Sequence, residues 1–138
     1  MENACSLYTK RLERYSVIPN AKNLFGKQRH FALGIVGKQT FLGWNNKKTH
    51  PQLVRTKENG HIVYGYHAET HVLYKIPKNK RKHAKILVCR LRKGKGPIFT
   101  MSKPCLHCTE TLLSEGVLIK NIWFTNIFGE WECLKKYY

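Results

Sequence analysis

Apolar residues along the chain fall into short runs separated by glycine, proline or basic residues, a pattern typical of a mixed α/β chain. His30–Val36 is apolar and strand-like, and Gln39–Trp44 repeats the pattern after the turn signal Gly37-Lys38. These two runs predict a β-hairpin. The apolar runs at residues 84–91 and 119–125 predict two further strands that are buried in the core.

Helical spacing of apolar residues occurs in three other segments, at residues 3–16, 67–75 and 105–115. Pro19 and Pro77 follow the first two helices, and Gly116 closes the third. The element order is therefore helix, two strands, helix, strand, helix, strand and tail. A hairpin followed by β-α-β crossovers predicts an α/β fold, a three-layer α/β/α domain with a mixed sheet of four to five strands.

The connecting segments are polar or basic. Residues 46–65 form a long polar loop that leads into His67, and we interpret it as a wall facing the substrate. The tail is predicted either to form a last amphipathic helix or to belong to the substrate surface. A length of 138 residues fits one domain. Its predicted parts are a helix and basic connector (1–29), a core (30–126) and the tail (127–138).

The charge of the chain changes this picture, because 25 Lys and Arg stand against 8 acidic residues, for a formal net charge of +17. No Asp occurs, and eleven Lys or Arg lie between Glu69 and Glu110, where there is no acid. Such an excess favours a polyanionic partner, although a lysine-rich coding bias would produce the same charge. The residues predicted to contact nucleic acid are Lys47, Lys48, Arg55, Lys80, Arg81 and Arg92.

Two short motifs carry candidate chemistry, Tyr66-His67-Ala68-Glu69 and Lys103-Pro104-Cys105-Leu106-His107-Cys108. One imidazole and two thiolates are a common catalytic zinc set that leaves the fourth position to water. The C-x-x-C spacing at a helix N-terminus favours the thiolate form. Glu69 lies two residues after His67, so it can reach that water without binding the metal, which predicts a proton shuttle.

These residues also have other interpretations. C-x-x-C alone also occurs in redox pairs and as half of a structural zinc site, but Cys5, Cys89 and Cys133 supply no second pair. His67 and His71 are four residues apart, as in H-E-x-x-H metalloproteases, yet that motif has Glu directly after the first His. We therefore interpret His71 as a helix-surface or packing residue.

The order H-x-E followed by P-C-x-x-C resembles the zinc-dependent nucleobase deaminases over residues 30–126. This is the cytidine and deoxycytidylate deaminase superfamily, which includes the tRNA adenosine deaminases and the polynucleotide cytidine deaminases. The resemblance implies two metal-bearing helices that lie side by side and present their N-termini to one zinc ion. Gly43-Trp44-Asn45 is similar to a motif of tRNA adenosine deaminases, which implies a sugar contact for Asn45; a turn role is the alternative.

The expected activity is hydrolytic deamination of cytosine to uracil in single-stranded DNA or RNA. The alternatives are deamination of free dCMP or cytidine, adenine deamination in tRNA, and a nucleic-acid-binding module with a structural zinc, for which Glu69 would have no use. Aromatic candidates for gripping the base are Trp44, Tyr64, Tyr66 and Trp123. The predicted substrate-binding residues are Trp44, Asn45, Thr49, His50, Tyr66, Ala68 and Pro104.

The sequence also gives expectations about location. There is no run of about 18 apolar residues and no signal-peptide pattern at Met1. Five cysteines are an odd number, and two of them are assigned to zinc. We therefore expect a reducing compartment such as the cytoplasm or nucleus, with no disulfides, no secretion and no membrane partner. The oligomeric state stays open.

Overall fold

The computed structural model describes residues 30–44, 57–58, 61–62, 67–91 and 99–138. The strands are β1 (His30–Val36), β2 (Gln39–Trp44), β3 (Lys57–Glu58), β4 (His61–Ile62), β5 (Lys85–Leu91), β6 (Phe99–Thr100), β7 (Ile122–Thr125) and β8 (Trp131–Cys133). The α-helices are α1 (Ala68–Lys75) and α2 (Leu106–Ser114), and 3-10 turns span Lys78–His83, Ile119–Asn121 and Leu134–Tyr137. None of the described helices is long and apolar enough to cross a lipid bilayer.

Six of these strands form a mixed sheet, in the order β2-β1-β5-β7-β8 with β6 paired to β5. Strands β3 and β4 form a separate pair. Strand β5 runs antiparallel to β1 and parallel to β7, so the connection through α2 is the crossover that the sequence predicts. The hairpin has its predicted bounds, and Phe31 pairs with Trp44 at its open end. A mixed α/β fold is confirmed. The main sheet has six strands, whereas four to five were expected.

Small residues on the hairpin allow α1 to lie directly on the sheet. Gly43 of β2 pairs with the fully buried Ala32 of β1. A Cβ atom on Gly43 would lie 2.6 Å from the carbonyl oxygen of Ala68 and 2.5 Å from the backbone nitrogen of Val72. Because backbone atoms of a helix cannot withdraw individually, this close approach requires glycine. It places the first turn of α1 at the open end of the hairpin.

The core has two parts that occupy opposite faces of the sheet. Both α-helices pack on one face, in a cluster that joins Val72 and Leu112 to Ile86 and Phe124. Alternate strand residues such as Leu33 and Leu87 form apolar clusters on the other face. The helix predicted for residues 3–16 lies outside the described residues. The described chain therefore shows an open sheet with helices on one face, and the three-layer arrangement is not confirmed.

Three connecting segments differ from the prediction. The loop at 46–65 contains a small ladder, in which β3 pairs antiparallel with β4. Residues 119–121 form a 3-10 turn, so the predicted strand begins only at Ile122. The tail forms β8 and a 3-10 turn instead of an amphipathic helix, because the Asn126 side chain accepts hydrogen bonds from the backbone N–H groups of Phe128 and Glu130 and reverses the chain. Strand β8 then pairs with β7.

Candidate metal centre and acid–base site

The residues predicted as metal ligands lie at the N-termini of two neighbouring helices. His67 is the N-cap of α1 and Cys105 is the N-cap of α2, both with extended backbone angles. The backbone N–H of Cys108 donates to the Cys105 sulfur at 3.4 Å. This hydrogen bond and the partial positive charge of the helix terminus both stabilise a thiolate.

The three donor atoms lie close enough to share one ion, since all are within 4.8 Å of one another. The His67 Nδ1 atom is 3.2 Å from the Cys108 sulfur and 3.6 Å from the Cys105 sulfur. Two ligands of a tetrahedral zinc, at ordinary Zn–N and Zn–S bond lengths, are separated by about 3.5 Å. The donor set and its spacing therefore fit a metal ion such as zinc.

The segment that leads to Cys105 is held by a hydrogen-bonded pair that the sequence analysis missed. The buried Ser102 hydroxyl donates to the Val88 carbonyl at 2.8 Å and accepts from the Thr125 N–H at 2.9 Å. The Thr125 hydroxyl in turn donates to the Thr100 carbonyl at 2.7 Å. These bonds tie the segment to the middle of β5 and to the end of β7. A Ser and a Thr that are 23 residues apart carry no sequence signal that they will meet.

Glu69 lies in the first turn of α1, and its side chain is only 1% exposed. Its carboxyl group is hydrogen-bonded to the Cys108 side chain, which places it beside the donor set although it is not a member of that set. The pKa of Glu69 is raised to about 7, mainly by burial. The hydrogen bonds to its own backbone and to Cys108 and the neighbouring His67 lower the pKa, but their effect is smaller than that of burial. A carboxyl group with this pKa can take up and release a proton near neutral pH.

His30 was not assigned by the sequence analysis, yet its Nε2 atom lies 3.5 Å from Oε1 of Glu69. Burial, and then the positive charges of His67 and Arg90, lower the pKa of His30 to about 4. The ring is therefore neutral at pH 7, and the close approach is not an ion pair. The available signal was the strand period of two, which puts His30 on the same face of β1 as Ala32.

Of the aromatic candidates, Trp44 contacts α1. Its backbone N–H donates to Nδ1 of His71 at 3.1 Å, and the two rings meet edge to face at 4.5 Å. The Lys75 ammonium lies 4.4 Å from the centre of the Trp44 ring. His71 thus packs against the end of β2, as predicted. Trp123, another of the four candidates, packs against the apolar cluster on the face of the sheet opposite the helices, away from the donor set.

The remaining predicted substrate residues divide into two groups. Ala68 and Pro104 flank the metal ligands, and both side chains are buried, so that Ala68 contributes to the core under α1. The other predicted residues lie outside the described residues; they are Asn45, Thr49, His50, Tyr64 and Tyr66.

The described basic candidates lie away from the site. Lys80 donates to the Gln39 side chain at 3.2 Å, at the closed end of the hairpin, whereas the site is at the open end. Arg81 is buried, and its guanidinium donates to the Ile76 carbonyl at 3.0 Å and to Glu115 at 2.6 Å. These internal contacts remove Arg81 from any binding surface. Lys47, Lys48, Arg55 and Arg92 lie outside the described residues.

No protein-family model matches the sequence, and no curated protein is significantly similar to it. The resemblance to nucleobase deaminases therefore rests on the two motifs and on the geometry of the site. Among the described residues, Cys89, Cys105, Cys108 and Cys133 form no disulfide bonds.

Proposed function

We propose that this chain is a zinc-dependent hydrolase of the cytidine deaminase type, which converts cytosine to uracil and releases ammonia. The observation that carries the proposal is the buried Glu69 carboxyl group beside a His-Cys-Cys donor set that does not include it. A structural metal site has no use for such a group, because its four positions are filled by protein ligands. A hydrolytic site requires an open position and a nearby proton carrier.

His67, Cys105 and Cys108 would hold the metal, and their chemistry suits zinc. When bound, zinc would supply an electrophilic centre that lowers the pKa of a coordinated water. The two thiolates offset the charge of the ion. The hydrogen bond from the Cys108 N–H and the N-terminus of α2 keep Cys105 in the ligating form.

Glu69 would move the protons in this reaction. Hydrolytic deamination needs one group that removes a proton from the attacking water and delivers protons to the ring and to the departing ammonia. The raised pKa of Glu69, about 7, suits a group that alternates between both forms at neutral pH. The enclosure of the carboxyl group strengthens its interactions with polar groups around it.

The favoured substrate is a cytosine in single-stranded nucleic acid. A ring carbon is shielded in a duplex, so an unpaired base is the easiest target. A net charge of +17 exceeds what a free nucleotide requires. Two exposed residues at the open end of the sheet, Arg90 and Lys103, are suited to phosphate contacts. Arg90 is the pairing partner of His30, and Lys103 lies two residues before Cys105.

A second candidate is the same reaction on free dCMP or cytidine. It is favoured because two basic residues that were predicted to bind nucleic acid do not line the site. Lys80 reaches the closed end of the hairpin, and Arg81 is internal. Adenine deamination in tRNA loses some of its support. Gly43, part of the motif that suggested it, is required by the packing of α1 in any case.

The test is a panel of cytosine and adenine substrates, each offered free and within a single-stranded oligonucleotide, with the mass of every product measured. We expect uracil in the oligonucleotide. Deamination of free dCMP alone would select the second candidate, and conversion of adenine alone would select the tRNA-type activity. Zinc-loaded protein without activity on any member of the panel would refute the deaminase proposal.

A further inference from the structure

The position of His30 is determined by the sheet. It is the first residue of β1 and pairs with Arg90 of β5. Along the same face of β1 come Ala32 and Gly34, where a Cβ on Gly34 would lie 2.8 Å from the Ile76 side chain. Small residues thus lie where α1 is closest, and the long imidazole lies beyond them, at the helix N-terminus. His30 can therefore reach the carboxyl group of Glu69.

The two facing atoms are both buried and both lack another partner. Among the described residues, His30 Nε2 and Glu69 Oε1 are buried polar atoms without a hydrogen bond. Their separation of 3.5 Å exceeds an N–H···O hydrogen bond by about 0.5 Å. Catalytic hydrogen bonds are often long in the absence of substrate and shorten in the complex. A small side-chain rotation would satisfy both atoms at once, which removes the cost of two unpaired polar groups.

We infer that His30 is a positioning residue, whose imidazole donates its Nε2–H to Oε1 of Glu69 and fixes the orientation of the carboxyl group. This inference rests on the proposed function of Glu69 as the proton carrier. The carboxyl group contacts the Cys108 side chain, and His30 Nε2 lies 3.5 Å from its Oε1. A zinc-bound Cys108 thiolate has no proton to donate, so the hydrogen bond from His30 would be the contact that keeps the carboxylate from rotating away from the donor set.

The partial exposure of His30 gives this arrangement a second consequence. Its side chain is 22% exposed, whereas that of Glu69 is 1% exposed. His30 therefore separates the carboxyl group from solvent at the open end of the sheet. The binding of a substrate beside the carboxyl group would complete this enclosure.

The experiment compares His30→Phe, which keeps a ring but has no donor, with His30→Gln, whose amide can place an N–H close to the Nε2 position. His83→Gln is the matched control, because His83 is exposed and precedes β5 at the closed end of the hairpin. For each variant kcat, KM, zinc content and melting temperature are measured. We expect His30→Phe to lower kcat roughly 10- to 100-fold with KM and zinc content unchanged. His30→Gln should restore much of that loss, and His83→Gln should equal the wild type.

A measurement without turnover separates this inference from the proposed function. Long-range ¹H–¹⁵N spectra of the zinc-loaded protein should show His30 as the Nε2–H tautomer with slow proton exchange, and Glu69→Ala should abolish that protection. Wild-type activity in His30→Phe would overturn the inference. An Nδ1–H tautomer, or exchange that is unaffected by Glu69→Ala, would overturn it as well. If the wild type deaminates nothing or if His30→Phe loses zinc or its fold, the spectra of the wild type and Glu69→Ala decide the inference alone.

Discussion

Two fully enclosed ionisable groups show how neighbours decide the chemistry of a buried side chain. Cys89 lies in an apolar cluster with Phe31 and Phe99, and burial raises the pKa of its thiol far above the usual range, so it stays protonated and inert. Glu69 is as well enclosed, but it faces His30, His67 and Cys108, and its pKa is about 7. Burial alone does not set the pKa of an enclosed group, because the polar groups around it also contribute.

At the metal centre, we expect one zinc per chain in protein purified without a chelator, bound through His67, Cys105 and Cys108. Cys105→Ser removes a thiolate ligand and should lower zinc content to near zero, since hydroxyl groups bind zinc weakly in comparison. Cys133→Ser is the matched control, because the Cys133 sulfur is directed to the Lys120 carbonyl at 3.5 Å and not to the donor set. Elemental analysis checks both variants. Wild-type protein without zinc, or zinc retained in Cys105→Ser, would contradict the assignment.

Replacement of Glu69 tests the proton carrier. Glu69→Ala should bind zinc and fold as the wild type does, because Glu69 is not in the donor set. Its turnover should fall by roughly two orders of magnitude or more, the usual contribution of a general acid–base group. Glu69→Gln repeats the test with less change in volume. Glu110→Ala, on the exposed side of α2, should leave turnover unchanged. Near wild-type kcat in both Glu69 variants would mean that another group carries the proton.

At the scale of elements, the position of the site depends on how closely α1 approaches the hairpin. Gly43→Ala should destabilise the fold by about 1–3 kcal/mol, because the new methyl group would meet helix backbone atoms 2.5 to 2.6 Å away. It should also reduce zinc affinity, since any shift of α1 moves His67 relative to α2. The measurements are chemical denaturation and zinc competition with a chelator.

Gly37→Ala is the control for that variant. Gly37 has φ of 58° in the hairpin turn, and a Cβ there would meet nothing within 4 Å. Its substitution strains the backbone and should lower stability modestly, but it should leave zinc affinity unchanged. Equal zinc affinity in Gly43→Ala and the wild type would show that α1 does not need this contact to position the site.

The C-terminal end of α1 is joined to α2 by the buried Arg81, which bonds to the Ile76 carbonyl and to Glu115. Glu115→Ala should cost about 1–3 kcal/mol, because it leaves an enclosed guanidinium without its carboxylate. Lys136→Ala, which breaks a surface pair with Glu132, should change stability little, since Lys136 is largely exposed. Denaturant unfolding compares the two variants. Equal, small effects would show that the Arg81 contact is no stronger than a surface pair.

The distribution of charge is a property of the whole molecule. In the described ranges the acid-free stretch between Glu69 and Glu110 contributes basic residues to both ends of the sheet, with Lys80 at the closed end and Arg90 and Lys103 at the open end. An oligonucleotide would meet the open-end residues first, because the candidate metal ligands lie at that end.

Binding of a cytosine-containing oligonucleotide should therefore weaken steeply with salt, with a slope of about 0.7 per phosphate contacted, because phosphate contacts release counterions. Lys103→Gln should reduce that slope by about 0.7, the share of one phosphate contact. Lys38→Gln, in the hairpin turn at the closed end, should leave the slope unchanged. Fluorescence anisotropy from low to moderate salt measures both slopes, beside turnover of free dCMP. Salt-insensitive turnover of the free nucleotide with no oligonucleotide product would leave the charge without a role in binding.

Local signals in the sequence determined the hairpin, both described α-helices and the two short motifs that carry the metal ligands, because each of these depends on residues close together in the chain. The turn at Gly37-Lys38 has its predicted bounds, and the C-x-x-C spacing places Cys105 at the N-cap of α2. The two motifs predicted that His67 and the cysteines would meet, and their sulfur and nitrogen atoms lie within 4.8 Å.

Only the tertiary structure decided which side chains surround that donor set. His30 is 39 positions before Glu69 and meets it because sheet pairing and helix packing bring the two together. The same packing turned Arg81 from a predicted surface residue into an internal one, and it placed Trp123 on the opposite face of the sheet. Strand β8 formed in the tail, for which the sequence left an amphipathic helix and a substrate surface open, since the Asn126 turn brings Trp131–Cys133 back against β7. These outcomes depend on contacts between distant segments, which residue spacing along the chain does not encode.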